Sequence, residues 1–406
     1  MITSQYNERQ SRVDKFQLLA VLGLMLISIA FVYSATTINE VGGALAWYRE
    51  SYFKQMVWFG LGLGAAAALC LMDYHALTRW SLVFYGLSIL SLVAVLIPHV
   101  GTRRYGAQRW IELGGFQFQP SEFAKLALIL ALAHFLSRPV DELKQRKIFW
   151  KSIGLMVLPF ILIMKEPDLG SALVLLPTGF AMLYAAGTPK RYLVQLFVIG
   201  GILASLFLAD VLFAPPQYRF IKLQEYQMKR LLVYFGRNYA AYAGSEITDA
   251  ERRRLREREF NDSHNVRQAL IAVGSGGFFG KGWRQGQQNS LGFLPQAGKH
   301  NDFIFSVIAE EKGFVGSVVV LTLYSVILFT GIRIAGQARD RLGKLLAVGV
   351  VTLLFSHVFI NIGMNIRIMP VTGVPLPLLS YCGSSVLGSL IAMGILQNIY
   401  MYRKAY

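Results

Sequence analysis

The stretch GFVGSVVVLTLYSVILFTGI, residues 313–332, decides the fold class, because it runs for twenty residues without one Asp, Glu, Lys, Arg or His. At ~1.5 Å of rise per residue, a helix of that length spans the ~30 Å hydrocarbon layer of a bilayer. Working outward, similar apolar runs recur at 16–34, 54–72, 80–97, 121–136, 149–164, 169–187, 192–213, 345–364 and 378–400. Their flanks are rich in Arg, Lys, Trp and Tyr, the residues that anchor a span at the headgroups. The sequence therefore predicts an all-α polytopic membrane protein of about ten transmembrane helices, with the chain 1–406 forming one transmembrane domain. The fourth and fifth runs are short, which predicts helices that are tilted, broken or shielded by neighbours. Polar residues precede the first run and no small-residue cleavage site follows it, so it reads as an anchor and not as a cleaved signal peptide.

Composition agrees: 54% of the 406 residues are hydrophobic and 16% charged, which excludes a chain of soluble domains. The 40 Lys and Arg against 23 Asp and Glu give a net +17 that could suggest a nucleic-acid partner. The charges fall instead as the positive-inside rule requires. With the N-terminus cytoplasmic, inner segments hold Arg138, Lys144, Arg146, Lys147, Lys190, Arg191, Arg333, Arg339, Arg341 and Lys344. Short outer segments hold few, apart from Arg103, Arg104 and Arg109 in the loop 98–120. Both termini are thus expected to be cytoplasmic, and no nucleic-acid partner is expected. Cys70 and Cys382 fall at opposite ends of their spans, so no disulfide joins them, and the six histidines lack metal-ligand spacing, so no Cys- or His-based metal site is expected.

Between the seventh and eighth spans lies a large extracytoplasmic segment, 214–312. Its opening, 215–235, alternates aromatic, aliphatic and basic residues as a helix lying on headgroups does. Thr248 and Glu251 form a capping-box pattern at the start of the charged stretch 249–260, read as a solvated helix or a surface for a partner or anionic lipid. The glycines of GSGGFFGKGW, 274–283, lack the GxxxxGK[ST] spacing of a phosphate loop.

Four groups of polar residues stand at the outer ends of the spans, where ionisable side chains are costly and mark function by default. Arg109 with Glu122 and Lys125 could form a cationic pocket for a phosphorylated ligand. Alternatively Glu122 and Lys125 pair with each other and Arg109 meets headgroup phosphate. Asp168, in KEPDLG (165–170), stands where a helix N-cap belongs, and with Glu166 it could also hold a cation. Asp302, beside His300 and against Phe303, Ile304 and Phe305, is either a general base or the N-cap of an interfacial helix. Glu310 and Glu311 read as structural, paired with Lys312 or a loop arginine. MPVTGVPLPLLSYCGSS, 369–385, has the prolines, glycines and serines, Ser384 among them, of irregular backbone lining a cavity. His357, alone in an apolar run, should be hydrogen-bonded inside the bundle. These features fit a membrane enzyme acting on a lipid phosphate or diphosphate, or a transporter of such a lipid.

At these residues the chain resembles the SEDS family (shape, elongation, division and sporulation), the peptidoglycan glycan-chain polymerases of the RodA and FtsW type. The resemblance rests on GAQRW (106–110), QPSEFAK (119–125), EPDLG (166–170), GSGGFFGKGW (274–283), HNDFIFSVIAEEKG (300–313), NIGM (361–364) and GVPLPLLSYCGSS (373–385). GVPLP and NIGM are more similar to the RodA branch than to FtsW. The resemblance implies polymerisation of lipid II in the bacterial cytoplasmic membrane, with undecaprenyl diphosphate leaving as a β-1,4 link forms. It implies Asp302 as the catalytic base and Arg109, Glu122, Lys125, Asp168, His300 and Ser384 as substrate-binding residues. It also implies a divalent cation such as Mg as a candidate cofactor and a class B penicillin-binding protein transpeptidase as partner, with membrane lipids around both. A lipid II flippase and an FtsW-like division polymerase are the alternatives. Asn301 stands where the family usually has threonine and Cys382 where it has glycine, and the segment between Pro295 and His300 is two residues longer.

Overall fold

The computed structural model describes residues 13–37, 50–104, 107–113, 116–214, 225–236, 267–291, 293 and 300–404. Ten helices match the ten apolar runs: α1 (Lys15–Thr37), α2 (Ser51–Cys70), α4 (Ser81–Leu96), α5 (Pro120–Leu136), α7 (Arg146–Lys165), α8 (Leu169–Ala185), α9 (Lys190–Phe213), α13 (Ile304–Gln337), α14 (Arg341–Asn365) and α15 (Gly383–Met401). Short helices α3 (Tyr74–Arg79), α6 (Val140–Leu143), α10 (Glu225–Tyr234), α11 (267–275) and α12 (Gln287–Ser290) lie between them. Among the described residues seven helices are long and apolar enough to cross a membrane. The shorter ones are α4, α5 and α8, whereas α7, expected to be short, is a full 20 residues. α14 and α15 are the most buried of the seven and α9 the least, so the bundle is built around the last two spans.

One expectation is corrected. The segment 98–120, read as a loop of an all-α chain, contains an antiparallel sheet of β1 (Gly101–Arg104), β2 (Ala107–Leu113) and β3 (Phe116–Phe118), in the order β1-β2-β3. Ile111 pairs with Phe118 and Leu113 with Phe116, so only the two glycines at 114 and 115 separate the last pair, the spacing of a two-residue hairpin. The Gln108 amide donates to the carbonyls of Val95 (2.8 Å) and Ile97 (3.2 Å), fastening the sheet to the end of α4.

α13 is broken where the glycine-rich segment meets it. Gly313 has φ +64° and ψ −155°, a backbone conformation that side chains disfavour. The groups freed by the break bond to the segment 277–282: Phe314 N–H to Gly277 O (2.9 Å), Val315 N–H to Phe278 O (3.1 Å), and the N–H groups of Lys281 and Gly282 to the carbonyls of Glu310 (3.0 Å) and Glu311 (3.1 Å). Close approach needs glycine on both sides, because a Cβ at Gly280 (φ +82°) would overlap the Glu311 carbonyl and one at Gly313 would meet Phe278 O at 2.7 Å. The fully buried Glu310 accepts from Lys281 Nζ (2.7 Å) and Gln288 N–H (3.0 Å), and Glu311 from Ser34 Oγ (2.5 Å) and Arg284 N–H (3.0 Å). Both glutamates are structural as expected, but their partners are Lys281, Arg284 and Gln288, in and just after the glycine-rich segment, and Ser34 of α1.

The sequence expectation at 215–235 is met in part by α10; the capping box at Thr248 and the stretch 249–260 lie outside the described residues. Cys70 and Cys382 are both free thiols. Gly280→Ala should lower the thermal unfolding midpoint in detergent, by an amount equivalent to about 2–3 kcal/mol from strain and overlap together. Gly274→Ala, where an added Cβ meets nothing within 4 Å, should not.

Candidate functional site

At the end of the bundle that carries the sheet, four irregular segments converge: the start of α5, the α7–α8 turn, the turn before α13 and the link 366–382 between α14 and α15. The floor is α5. Pro120 opens it at a position where a missing N–H costs nothing, and Glu122 and Lys125 follow on one face. Both are buried, and Lys125 Nζ lies 2.6 Å from Glu122 Oε1 and 2.9 Å from His357 Nε2. His357 Nδ1 faces the Pro375 carbonyl at 3.3 Å. A neutral imidazole with its proton on Nδ1 satisfies both contacts, accepting from the ammonium and donating to the carbonyl. A charge pair in such a place persists because its ammonium is held by both the Glu122 carboxylate and the His357 ring.

The α7–α8 turn forms one wall. Asp168 caps α8, accepting from Ser171 N–H (3.1 Å), and also takes the Gln119 amide (3.1 Å) and an ion pair with Arg109 at 3.7 Å. Arg109, on β2, donates to the backbone carbonyls of Glu166 (3.3 Å) and Pro167. The N-cap reading of Asp168 therefore holds, and the buried guanidinium of Arg109 is directed to this turn, where the sequence suggested ligand or headgroup phosphate. Glu166 is fully buried with neither carboxylate oxygen hydrogen-bonded. Burial, reinforced by the Asp168 charge and opposed by Arg109, pushes its carboxyl up to about 9. Gly170 lets the link approach α8, since a Cβ there would lie 2.5 Å from Val374 Cγ2 and 2.9 Å from Thr372 O.

The half-buried Asp302 occupies the turn before α13. The helix α13 is capped by Phe303, one residue beyond Asp302. Its carbonyl accepts from Asn361 Nδ2 (3.2 Å) and Asn365 Nδ2 (3.0 Å). The neighbouring carbonyls of Asn301 and His300 take Ser380 Oγ (2.6 Å) and Tyr381 N–H (2.9 Å), and the His300 ring lies 5.4 Å from that of Tyr381. Ser384 accepts from Gln119 N–H (3.0 Å) and donates to Gln117 O (3.1 Å), tying β3 to α15. One face of α14 links the two sides of the site, since His357 meets Lys125 (2.9 Å) and Asn361, one turn on, donates to the Asp302 carbonyl (3.2 Å). Among the described residues no three His, Cys, Asp or Glu side chains converge as a metal site would need.

Comparison with known proteins gives this geometry its family. The family FTSW_RODA_SPOVE, described as cell cycle protein, matches residues 15–405. The chain belongs to it. It is 36% identical over 400 residues to stage V sporulation protein E of Bacillus subtilis, covering 98% of this chain and 99% of that one. It is 34% identical over 393 residues to peptidoglycan glycosyltransferase MrdB of Escherichia coli (96% and 95% covered) and 35% over 432 to peptidoglycan glycosyltransferase RodA of Treponema pallidum (96% and 98%). Among solved structures it is similar to a chain of a peptidoglycan synthase complex, described as coordinating polymerization and crosslinking (TM-score 0.73, 27% identity, 97% and 99% covered). It is also similar to Thermus thermophilus RodA (TM-score 0.64, 28% identity, 97% and 98% covered). It is a multi-pass membrane protein of the FtsW, RodA and SpoVE family, as its motifs suggest.

In this family member the residues that the sequence did not single out are His357's contact with Lys125, the pair Asn361 and Asn365, Gln119, and the role of Glu166. The first three had a signal: His357, Asn361 and Asn365 recur every four residues on an apolar helix, a polar stripe on one face.

Two outcomes follow. Lys125→Met leaves Glu122 buried without its cation and should cost about 3–5 kcal/mol in unfolding free energy, most of it recovered when Glu122→Gln is added. For Glu166, unfolding releases the carboxyl to ionise near its ordinary value while the native state keeps its proton up to about 9. The native state thus binds more protons between those limits, and this residue's contribution falls as pH rises through them. Glu166→Gln should therefore flatten the fall of the unfolding midpoint between pH 5 and about 9, measured by thermal denaturation; an unchanged slope contradicts the assignment.

Proposed function

We propose that this chain is a peptidoglycan glycosyltransferase that polymerises lipid II at the outer face of the bacterial inner membrane, both termini cytoplasmic, and that it serves cell elongation. The observation that carries the reading is the one face of α14 on which His357 meets Lys125 (2.9 Å) and Asn361, one turn on, holds the Asp302 carbonyl (3.2 Å), at the end of the bundle that the positive-inside rule puts outside. Its support from relatives is that two are named peptidoglycan glycosyltransferase and a similar chain sits in a peptidoglycan synthase complex. The elongation role rests on the RodA-like motifs GVPLP and NIGM, since relatives named for sporulation, RodA and FtsW are all 31–36% identical.

In the proposed reaction a lone pair of an acceptor sugar's 4-hydroxyl attacks the anomeric carbon of a lipid-linked disaccharide. The bond from that carbon to the diphosphate oxygen breaks, undecaprenyl diphosphate leaves with the bonding pair, and the hydroxyl proton passes to the Asp302 carboxylate. Attack opposite the leaving group inverts the α-diphosphate to a β-1,4 link. The backbone of Asp302 is fixed by the two asparagine amides, so the base needs little reorganisation. Lys125, held by Glu122 and His357, supplies a preoriented positive charge beneath the point where diphosphate charge develops. Asp168 and Arg109 hold the wall, Ser384 holds the α15 entrance, and His300 flanks the base. The described residues do not make a protein-only cation cage, and no step here runs through a metal. A divalent cation such as Mg, carried in with the diphosphate, is a proposal for a chelator arm of the assay. The partner that crosslinks the strand would be a class B penicillin-binding protein.

The test is conversion of purified lipid II to glycan strands by this chain with its transpeptidase partner. Wild type should make polymer, and Asp302→Asn should slow it by at least about 100-fold, the scale of general-base loss, without lowering the unfolding midpoint. Lipid II crossing vesicles without polymer would overturn the polymerase reading in favour of a flippase.

A further inference from the structure

The opposite end of the bundle, where the described chain begins and ends, holds a cavity of about 470 Å³, within the ~300–1,000 Å³ of ligand pockets. It opens between α3, the end of α5 and the start of α14, and is lined by Arg79, Arg341, His134, His75, Thr78 and Ser137. Asp340 also lines it, but its charge is already engaged. One oxygen accepts from Tyr74 OH (2.5 Å) and Gly343 N–H (3.0 Å), and the other faces His75 Nε2 at 2.9 Å. The other face of the His75 ring, Nδ1, lies 2.8 Å from Asp73. Arg341 spends one amino group on the Ala186 carbonyl at the end of α8, and its charge remains. The Arg79 side chain is exposed and, among the described residues, pairs with nothing, and Arg339 is near enough for its charge to reach Asp73 and Tyr74.

The cleft thus presents two guanidiniums, a third nearby and the side chain of His134, with no unengaged carboxylate in its lining. Guanidinium forks match phosphate oxygens two at a time, and the Thr78 and Ser137 hydroxyls suit the same ligand. The helix α3, which lines the cleft, is flanked in sequence by the exposed Leu71, Met72 and Trp80, apolar and aromatic residues suited to the level where a span meets headgroups. We propose that this inner-face cleft binds a phosphate group, that of an anionic phospholipid whose chains lie along Leu71, Met72 and Trp80. The site lies at the far end of the spans from Asp302 and does not depend on the polymerase reading. A soluble phosphate compound has the same recognising chemistry and is the other source to test.

The experiment uses the full chain in detergent, with native mass spectrometry and thermal unfolding as readouts. Phosphatidylglycerol, phosphatidylcholine and inorganic phosphate are titrated separately. Phosphatidylglycerol should raise the unfolding midpoint and remain bound in the spectrometer, phosphatidylcholine should not, and Arg79→Gln should weaken the apparent affinity about tenfold, the loss of one charge-assisted contact. Arg79→Lys should recover part of it, and Lys147→Gln, a control exposed charge, none of the loss. Stabilisation by inorganic phosphate that vanishes in Arg79→Gln supports the phosphate site with a soluble source. Equal binding by wild type and Arg79→Gln, or no binding of either probe, overturns the proposal.

Discussion

A lysine ammonium with no access to water is the constraint on which the site depends. Lys125 sits on a membrane-spanning helix, where an unpaired charge would cost several kcal/mol. Glu122 neutralises it from the same helix, and His357 reaches across from α14 to accept a second hydrogen bond from the ammonium. The imidazole in turn faces the Pro375 carbonyl, so satisfying one cation fixes α5 against α14 and α14 against the link that follows it. The charge therefore does structural work before it does any chemistry, and its position relative to Asp302 follows from that work.

The same face of α14 solves a second problem. Irregular backbone near the hydrocarbon must have every N–H and C=O answered from within the protein. The turn 300–303 and the link 366–382 are both irregular. Asn361 answers Asp302 O and Val374 O, Asn365 answers Asp302 O, and Tyr324 OH bonds Pro377 O (2.5 Å). α1 and α2 close the back, with Ser28 on the Leu379 carbonyl (2.9 Å) and Gln55 on that of Ser380 (3.3 Å). The turn that carries Asp302 is thereby held as firmly as a helix would hold it. The glycine-rich segment 274–283 does for the break in α13 what these side chains do for the link, with backbone groups in place of side chains.

Much of this was legible in the sequence. Apolar run length located all ten spans, because in a membrane every helix must announce itself by composition. The clustering of Pro, Gly and Ser at 369–385 announced non-helical backbone at depth, and it is non-helical from Ile366 to Cys382. The sheet at 101–118 was missed because three strands of seven residues or fewer carry little periodicity, although the two glycines at 114 and 115 marked a hairpin. The partners of Glu310 and Glu311 were missed because contacts between the glycine-rich segment and α13 are long-range in sequence. Arg109 was legible as an unusual outer cation. Its direction was not, since whether a guanidinium meets phosphate or a backbone carbonyl depends on where the 166–168 turn sits.

The central claim is that Asp302 and Lys125 act on one bond-breaking event. The measurement that tests it most directly is the initial polymerisation rate on lipid II for Lys125→Met, Asp302→Asn and the double variant, each corrected for the folded fraction. Residues that act as a unit lose their effects non-additively. The account predicts a double variant no slower than the slower single variant. Losses that multiply across the two positions would contradict it.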